Sequence, residues 1–201
     1  MTDDTYKTIS RNSEGVFKDK GSKFISYAFP VTNEEEIKTI LLEIKKTHHS
    51  ARHHCYAWRI GTGKITYRAN DDGEPSSTAG KPILGQLLSF NLTNTLVVVV
   101  RYFGGTLLGV SGLINAYKSA AADALYNAEI VEKTIEEEFE LTFSYHELNE
   151  VMQRINKEKL SPVTTDFGEH CLIRLRIRKT DASRVEKAFM EIYNVKVAKI
   201  S

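Results

Sequence analysis

Along this chain the spacing of apolar positions switches between every second residue and every third or fourth, and each switch marks an element. Residues 6–17 and 23–31 read as strands, the second ending at Pro30. A helix is expected next: Thr32 with Glu35 has capping-box spacing, and Ile37, Ile40, Leu41 and Ile44 form an apolar stripe. His54, Tyr56, Trp58 and Ile60 alternate as a strand, Gly61 and Gly63 flank a turn, and residues 65–69 return antiparallel. Thr78 is placed to cap a helix carrying Ile83, Leu84, Leu87 and Leu88. Residues 96–102 form a continuous β-branched run, the mark of a central strand buried on both faces. Gly104 and Gly105 break it, and a helix from Ser111 to Leu125 follows, with Ala116, Ala120, Ala121 and Ala124 allowing close packing.

A second, simpler order starts near residues 131–133. Residues 135–143 alternate as a strand, a helix carries Leu148, Val151, Met152 and Ile155, and strands follow at 163–167 and around Ile173, Leu175 and Ile177. Val185, Ala188, Phe189 and Ile192 mark a helix, Asn194 its left-handed stop, and residues 195–200 a last strand. This βαββαβ order suggests a ferredoxin-like unit. The expected architecture is α+β in two domains, residues 1–132 and 133–201. Glu136, Glu138 and Glu140 share one face of the first strand of this domain, and Arg174, Arg176 and Arg178 one face of its third. As central neighbours, these rows are expected to pair into a neutral solvent face rather than to bind RNA.

Bulk composition narrows the function. The 201 residues carry a net charge of +1, which excludes a wholesale basic nucleic-acid binder. The longest apolar run is too short to cross a bilayer, the first residues lack a secretory pattern, and Cys55 and Cys171 imply no disulfide framework, so a cytoplasmic protein is expected. Charge is unevenly placed, however. Between His48 and Ala122 the acids are Asp71, Asp72 and Glu74 alone, against Arg52, Arg59, Lys64, Arg68, Lys81, Arg101 and Lys118. That imbalance favours an anionic partner.

Three runs in this stretch are more specialised than a core requires: HHSARHHCYAWRI, DDGEPSSTAGKPILGQL and VVVVRYFGGTLLGVSGLINAY. The histidines and Cys55 invite a metal, but no second pair stands at zinc-finger spacing, and the chain is read as holding neither metal nor cofactor. Cys55 reads as a small packing residue that shares a strand face with His53 and Ala57, opposite Tyr56 and Trp58. The strand–glycine–helix turn suits an anion at exposed N–H groups, yet it carries neither a Walker nor a GxGxxG pattern. Asp72-Gly73 is a turn signal before it is a functional acid. No residue is assigned as catalytic.

HHCYAW, DDGEPSSTAGKPIL and VVVRYFGGTLLGVSGLINAY resemble the hallmark runs of the IMPACT/YigZ family, also called uncharacterised protein family 0029. The resemblance implies an amino-terminal domain of ribosomal protein S-five domain-two-like fold and a ferredoxin-like carboxy-terminal domain. It implies eukaryotic members that regulate translation, bacterial members that bind nucleic acid, and no enzyme activity. Leu107 stands where the family has lysine, Asn115 where a basic residue is frequent, Lys118 where glycine is common, and Ser77 and Ser111 at further glycine positions.

The resulting expectation is a non-enzymatic regulator of translation that binds RNA or the ribosome, with a protein partner in translation control also open. An anion groove is expected from Arg52, His53, His54, Lys81, Arg101, Gly104, Gly105 and Lys118. Two rivals stay open. One is a hydrolase or phosphotransfer enzyme built on Arg101 and the glycines with His53 or His54. The other is a protein–protein adaptor, which needs an exposed apolar patch.

Overall fold

The computed structural model describes residues 4–168 and 170–200; the first three residues of the stretch read for a secretory pattern lie outside them. The chain divides into two compact units, Tyr6–Lys133 and, with the residues up to Thr5, Thr134–Ser201.

In chain order the first unit carries β1 (Thr5–Ile9), β2 (Ser13–Asp19), β3 (Ser22–Pro30), α1 (Glu34–Thr47), β4 (His53–Ile60), β5 (Thr66–Asn70), α2 (Gly80–Ser89), β6 (Thr95–Tyr102), α3 (Gly109–Tyr126) and β7 (Ile130–Thr134). Five strands form one antiparallel sheet in the order β2-β3-β6-β4-β5, while β1 pairs with β7 apart from it. As its unbroken β-branched run predicts, β6 is central, and all but its last residue are buried.

Strand alternation then divides the core. Phe24, Ala28, Cys55, Ala57, Val97 and Val99 face α2 and α3, together with the alanines of α3 and the buried Tyr117. Trp58, Leu96, Val98 and Val100 face α1 through Ile37 and Ile44. The helix starts differ from expectation. α1 is capped by Asn33, whose side-chain oxygen accepts from the Glu36 N–H at 2.9 Å, while the Glu36 carboxylate accepts from the backbone N–H and hydroxyl of Thr32. The cap is thus Asn33, one residue beyond the Thr32 expected, and Glu36 closes back on Thr32 instead of on the cap's own N–H. α3 begins at Gly109, two residues before Ser111.

The second unit contains β8 (Glu136–Phe143), α4 (Leu148–Lys157), β9 (Pro162–Phe167), β10 (Cys171–Arg178), α5 (Lys179–Met190) and β11 (Lys196–Lys199). Its sheet runs β11-β8-β10-β9, so first and third strands are the central neighbours that the pattern required, and Asn194 is left-handed at φ 58°. Arg174 pairs with Glu140 at 2.9 Å and Arg176 with Glu138 at 3.3 Å. The third rung differs. Arg178 is in register with Glu136, but its guanidinium turns to the buried Asp4, which also accepts from the Thr180 hydroxyl at 2.8 Å. Among the described residues no helix is long and apolar enough to cross a membrane.

Candidate binding cavity at Arg101

Arg101 stands near the end of β6 in a cross-strand row with Phe24 on β3 and His53 on β4. All three project toward the α2 and α3 side, where a cavity of about 480 Å³ opens beside them. Its polar side is Arg52, His53, Glu74 and Arg101. Its apolar side is Phe103, Leu107, Leu108, Val110 and Leu113, from the loop after β6 and the start of α3.

The Arg101 side chain is 7% exposed, and Nη1 donates to Glu74 Oε1 at 2.6 Å. The hydroxyl of Tyr117 donates to the same oxygen at 2.8 Å. The guanidinium carbon lies 5.6 Å from the ring centres of both Phe24 and Phe103. Nε is buried and has no hydrogen-bond partner. A guanidinium has five N–H donors and an unmet buried donor is costly, so a small movement of Arg101 that brought Nε to an acceptor in the cavity would be favourable.

Glu74 reaches this position because each acid of the DDGEP turn has a separate task. The Asp71 carboxylate accepts backbone N–H bonds from Ser77 (2.9 Å), Ala79 (3.0 Å) and Gly80 (2.8 Å), anchoring the start of α2. Burial pushes this carboxyl up, but those three bonds, with nearby Lys81, hold it below the usual carboxylate range. Thr78, expected to cap α2, instead donates its hydroxyl to the Pro75 carbonyl at 2.7 Å. The Asp72 carboxylate accepts the His54 N–H at 2.7 Å, and its carbonyl accepts from His53 Nδ1 at 2.9 Å. Glu74 is thereby turned inward to Arg101.

The expected groove residues fall into separate places. Arg52, His53 and Arg101 meet at the cavity. His54 points to the opposite sheet face, as alternation along β4 demands. There its Nε2 donates to the His48 carbonyl at 3.2 Å, and His48 bridges the hydroxyls of Tyr27 (2.8 Å) and Tyr102 (2.7 Å). Burial is the main reason the His48 pKa is held below its ordinary value. Lys81 is exposed in the first turn of α2 and Lys118 is exposed far along α3; neither lines the cavity. Gly104 has a packing task. A Cβ there would lie 1.9 Å from the backbone of Gly21, and its N–H donates to Ser22 Oγ at 3.1 Å. Gly105 takes φ +87°, which favours glycine, and does not line the cavity.

Cys55 is buried, and its thiol hydrogen is shared between the Asp71 carbonyl (3.0 Å) and the Tyr117 hydroxyl (3.3 Å). Burial pushes the thiol pKa strongly up, which suppresses the thiolate a nucleophile requires. Among the described residues no three histidine, cysteine or acidic side chains gather as a metal site. Glu74 and Tyr117 are the residues sequence reasoning missed. The signal for Glu74 was its place among the three acids of an otherwise basic stretch. Tyr117 offered only its place on the alanine-rich face of α3.

This constellation lies within residues 20–125, the stretch matched by the family model for the Impact N-terminal domain. The chain belongs to the IMPACT family. The IMPACT family member YvyE of Bacillus subtilis (strain 168) is 30% identical over 192 residues, covering 96% of this chain and 88% of its own. YigZ of Escherichia coli (strain K12) is 34% identical over 160 residues, covering 79% and 78%. A solved structure described as an hypothetical protein is 27% identical and covers 98% of both chains at a TM-score of 0.72. In this IMPACT family chain, Arg52, Glu74, Arg101 and the first turn of α3 all fall inside the matched domain.

Proposed function

We propose that this IMPACT family protein is a non-catalytic binding protein of translation control, and that it holds an anionic group of its partner against Arg101. One observation carries this reading: a buried arginine facing a cavity with Nε unpaired. Arg52 at the same cavity adds a second positive charge, which suits RNA or a ribosomal surface. The family resemblance supports the translation setting, and with it a cytoplasmic location. The enzyme reading is weaker, because Gly104 and Gly105, on which it relies, do not line the cavity and Cys55 is held as a thiol.

The adaptor reading is favoured by a separate observation. Leu107 is 82% exposed and Val110 60%, and both stand on the cavity wall. Apolar side chains left in solvent beside a cavity are a common mark of a contact surface. The test is sedimentation of purified protein with bacterial ribosomes. Wild type should travel with the ribosomal fractions at low salt and Arg101→Lys should be depleted from them. Wild type remaining at the top of the gradient would overturn the translation reading.

A further inference from the structure

The cavity pairs two demands that few ligands meet together. One end needs an anion. Arg101 lines it with a guanidinium whose buried Nε lacks an acceptor, and the first turn of α3 lines the same space through Gly109 and Val110. α3 has 18 residues and no side-chain cap, so its leading N–H groups and the positive end of its dipole are available there. The other end needs apolar surface, supplied by Leu107, Leu108, Val110 and Leu113.

Charge sets the size of the anion. Arg52 and Arg101 against Glu74 leave one net positive charge at the cavity, which one negative charge balances. A phosphate monoester carries nearly two. A phosphodiester carries one, but Phe103, the aromatic residue of the wall, already lies against the Arg101 guanidinium, and along the remaining aliphatic wall a base would bury its polar edge without a partner. An internal Asp or Glu of a protein would bring flanking peptide groups onto the same wall with the same penalty. A C-terminal residue brings one flanking peptide group instead of two, and its side chain leaves the Cα beside the carboxylate, within reach of the wall.

We infer that the cavity takes the C-terminal residue of a protein partner, its carboxylate on the Nε edge of Arg101 and the first turn of α3, its apolar side chain on the wall of Leu107 and Val110. This rests on the reading of the cavity as the binding site. It names the occupant as a protein end, and RNA becomes an outcome of the test. The two-pronged contact needs the guanidinium fork, which lysine lacks.

The test is calorimetric titration of the full chain with four probes: an N-acetylated tripeptide ending in leucine, the same tripeptide amidated at its C-terminus, octanoate, and a short single-stranded RNA. The acid peptide should bind, and the amide should bind about ten- to a hundredfold more weakly, as loss of a charge-assisted contact implies. Arg101→Lys should weaken the acid peptide by a similar factor. Val110→Glu guards against misfolding: it sits on an exposed position where an acid suits a helix start, so it should keep the fold and repel the carboxylate. Equal binding of acid and amide, or octanoate as tight as the peptide, would overturn the inference. So would RNA displacing the peptide, but the reading of Arg101 as an anion grip would then stand. No binding by any probe would overturn the inference alone if wild type still travels with ribosomes, and both readings if it does not.

Discussion

Glu74 and Arg101 form a buried ion pair at 2.6 Å, although 27 residues separate them and each lies in a run that signals something else, a turn and a strand. Tyr117 completes the pairing from α3 by donating to the same carboxylate oxygen. Glu74→Ala leaves the guanidinium buried without its carboxylate, and a loss of about 3–5 kcal/mol is expected in urea unfolding. Tyr117→Phe removes one hydrogen bond and should cost about 1 kcal/mol. Equal, small losses in both variants would mean that the pair is not holding the cavity floor.

Asp71 should matter through α2 rather than through a ligand. Asp71→Asn keeps the shape but removes the charge that collects three N–H bonds, and a loss of about 2 kcal/mol at neutral pH is expected. Because its folded pKa is depressed, this contribution is present above the unfolded value of about 3.9 and is lost as pH falls through the lower folded value. Urea midpoints of wild type and variant should therefore stay a constant distance apart above about pH 5 and converge at lower pH. A gap that does not narrow at all between pH 5 and pH 2 would rule out the carboxylate charge as the cause.

His48 gives the opposite kind of titration. Its folded pKa lies below the ordinary value, so the unfolded chain takes the proton first and stability falls as pH drops below about 6.5. Moving from pH 7.5 to pH 5.5 should lower the urea midpoint of wild type more than that of His48→Gln. Identical shifts would show that the His48 bridge between Tyr27 and Tyr102 is not the titrating element.

Asp4 ties the start of the chain into the second unit. Asp4→Ala leaves Arg178 and Thr180 without their shared acceptor at the start of α5. Arg178 is half exposed, so the expected cost is limited to about 1–2 kcal/mol. Hydrogen exchange should quicken first at amides in the opening turn of α5. A fragment starting at Lys133 should lose the same protection, and unchanged exchange in both would contradict the assignment.

Much of this fold was legible because periodicity reports burial directly. β6 could be placed at the centre from its β-branched run, and the paired rows of β8 and β10 from alternating charge. The third rung escaped because Arg178 had a partner at the far end of the chain, which no local pattern encodes. The cavity was half legible. Strand alternation alone separates His53 from His54, and the expected groove joined them against that rule. Glu74 and Tyr117 were hidden because a turn signal and a helix face say where a residue sits along the backbone, but not which distant side chain it meets. The glycines misled for a related reason. Gly104 is required by the approach of Gly21, a packing need that looks, in sequence, like an anion cradle.

The central claim is that the unpaired Nε–H of Arg101 receives the partner's anionic group. The most direct measurement is the nitrogen-15 resonance of that N–H, assigned by its loss in Arg101→Lys and followed during titration with the leucine-ending acid peptide. The account predicts a progressive shift that saturates with the peptide and is far smaller at the same concentrations of its amide. A resonance that stays in place while the peptide binds would contradict it.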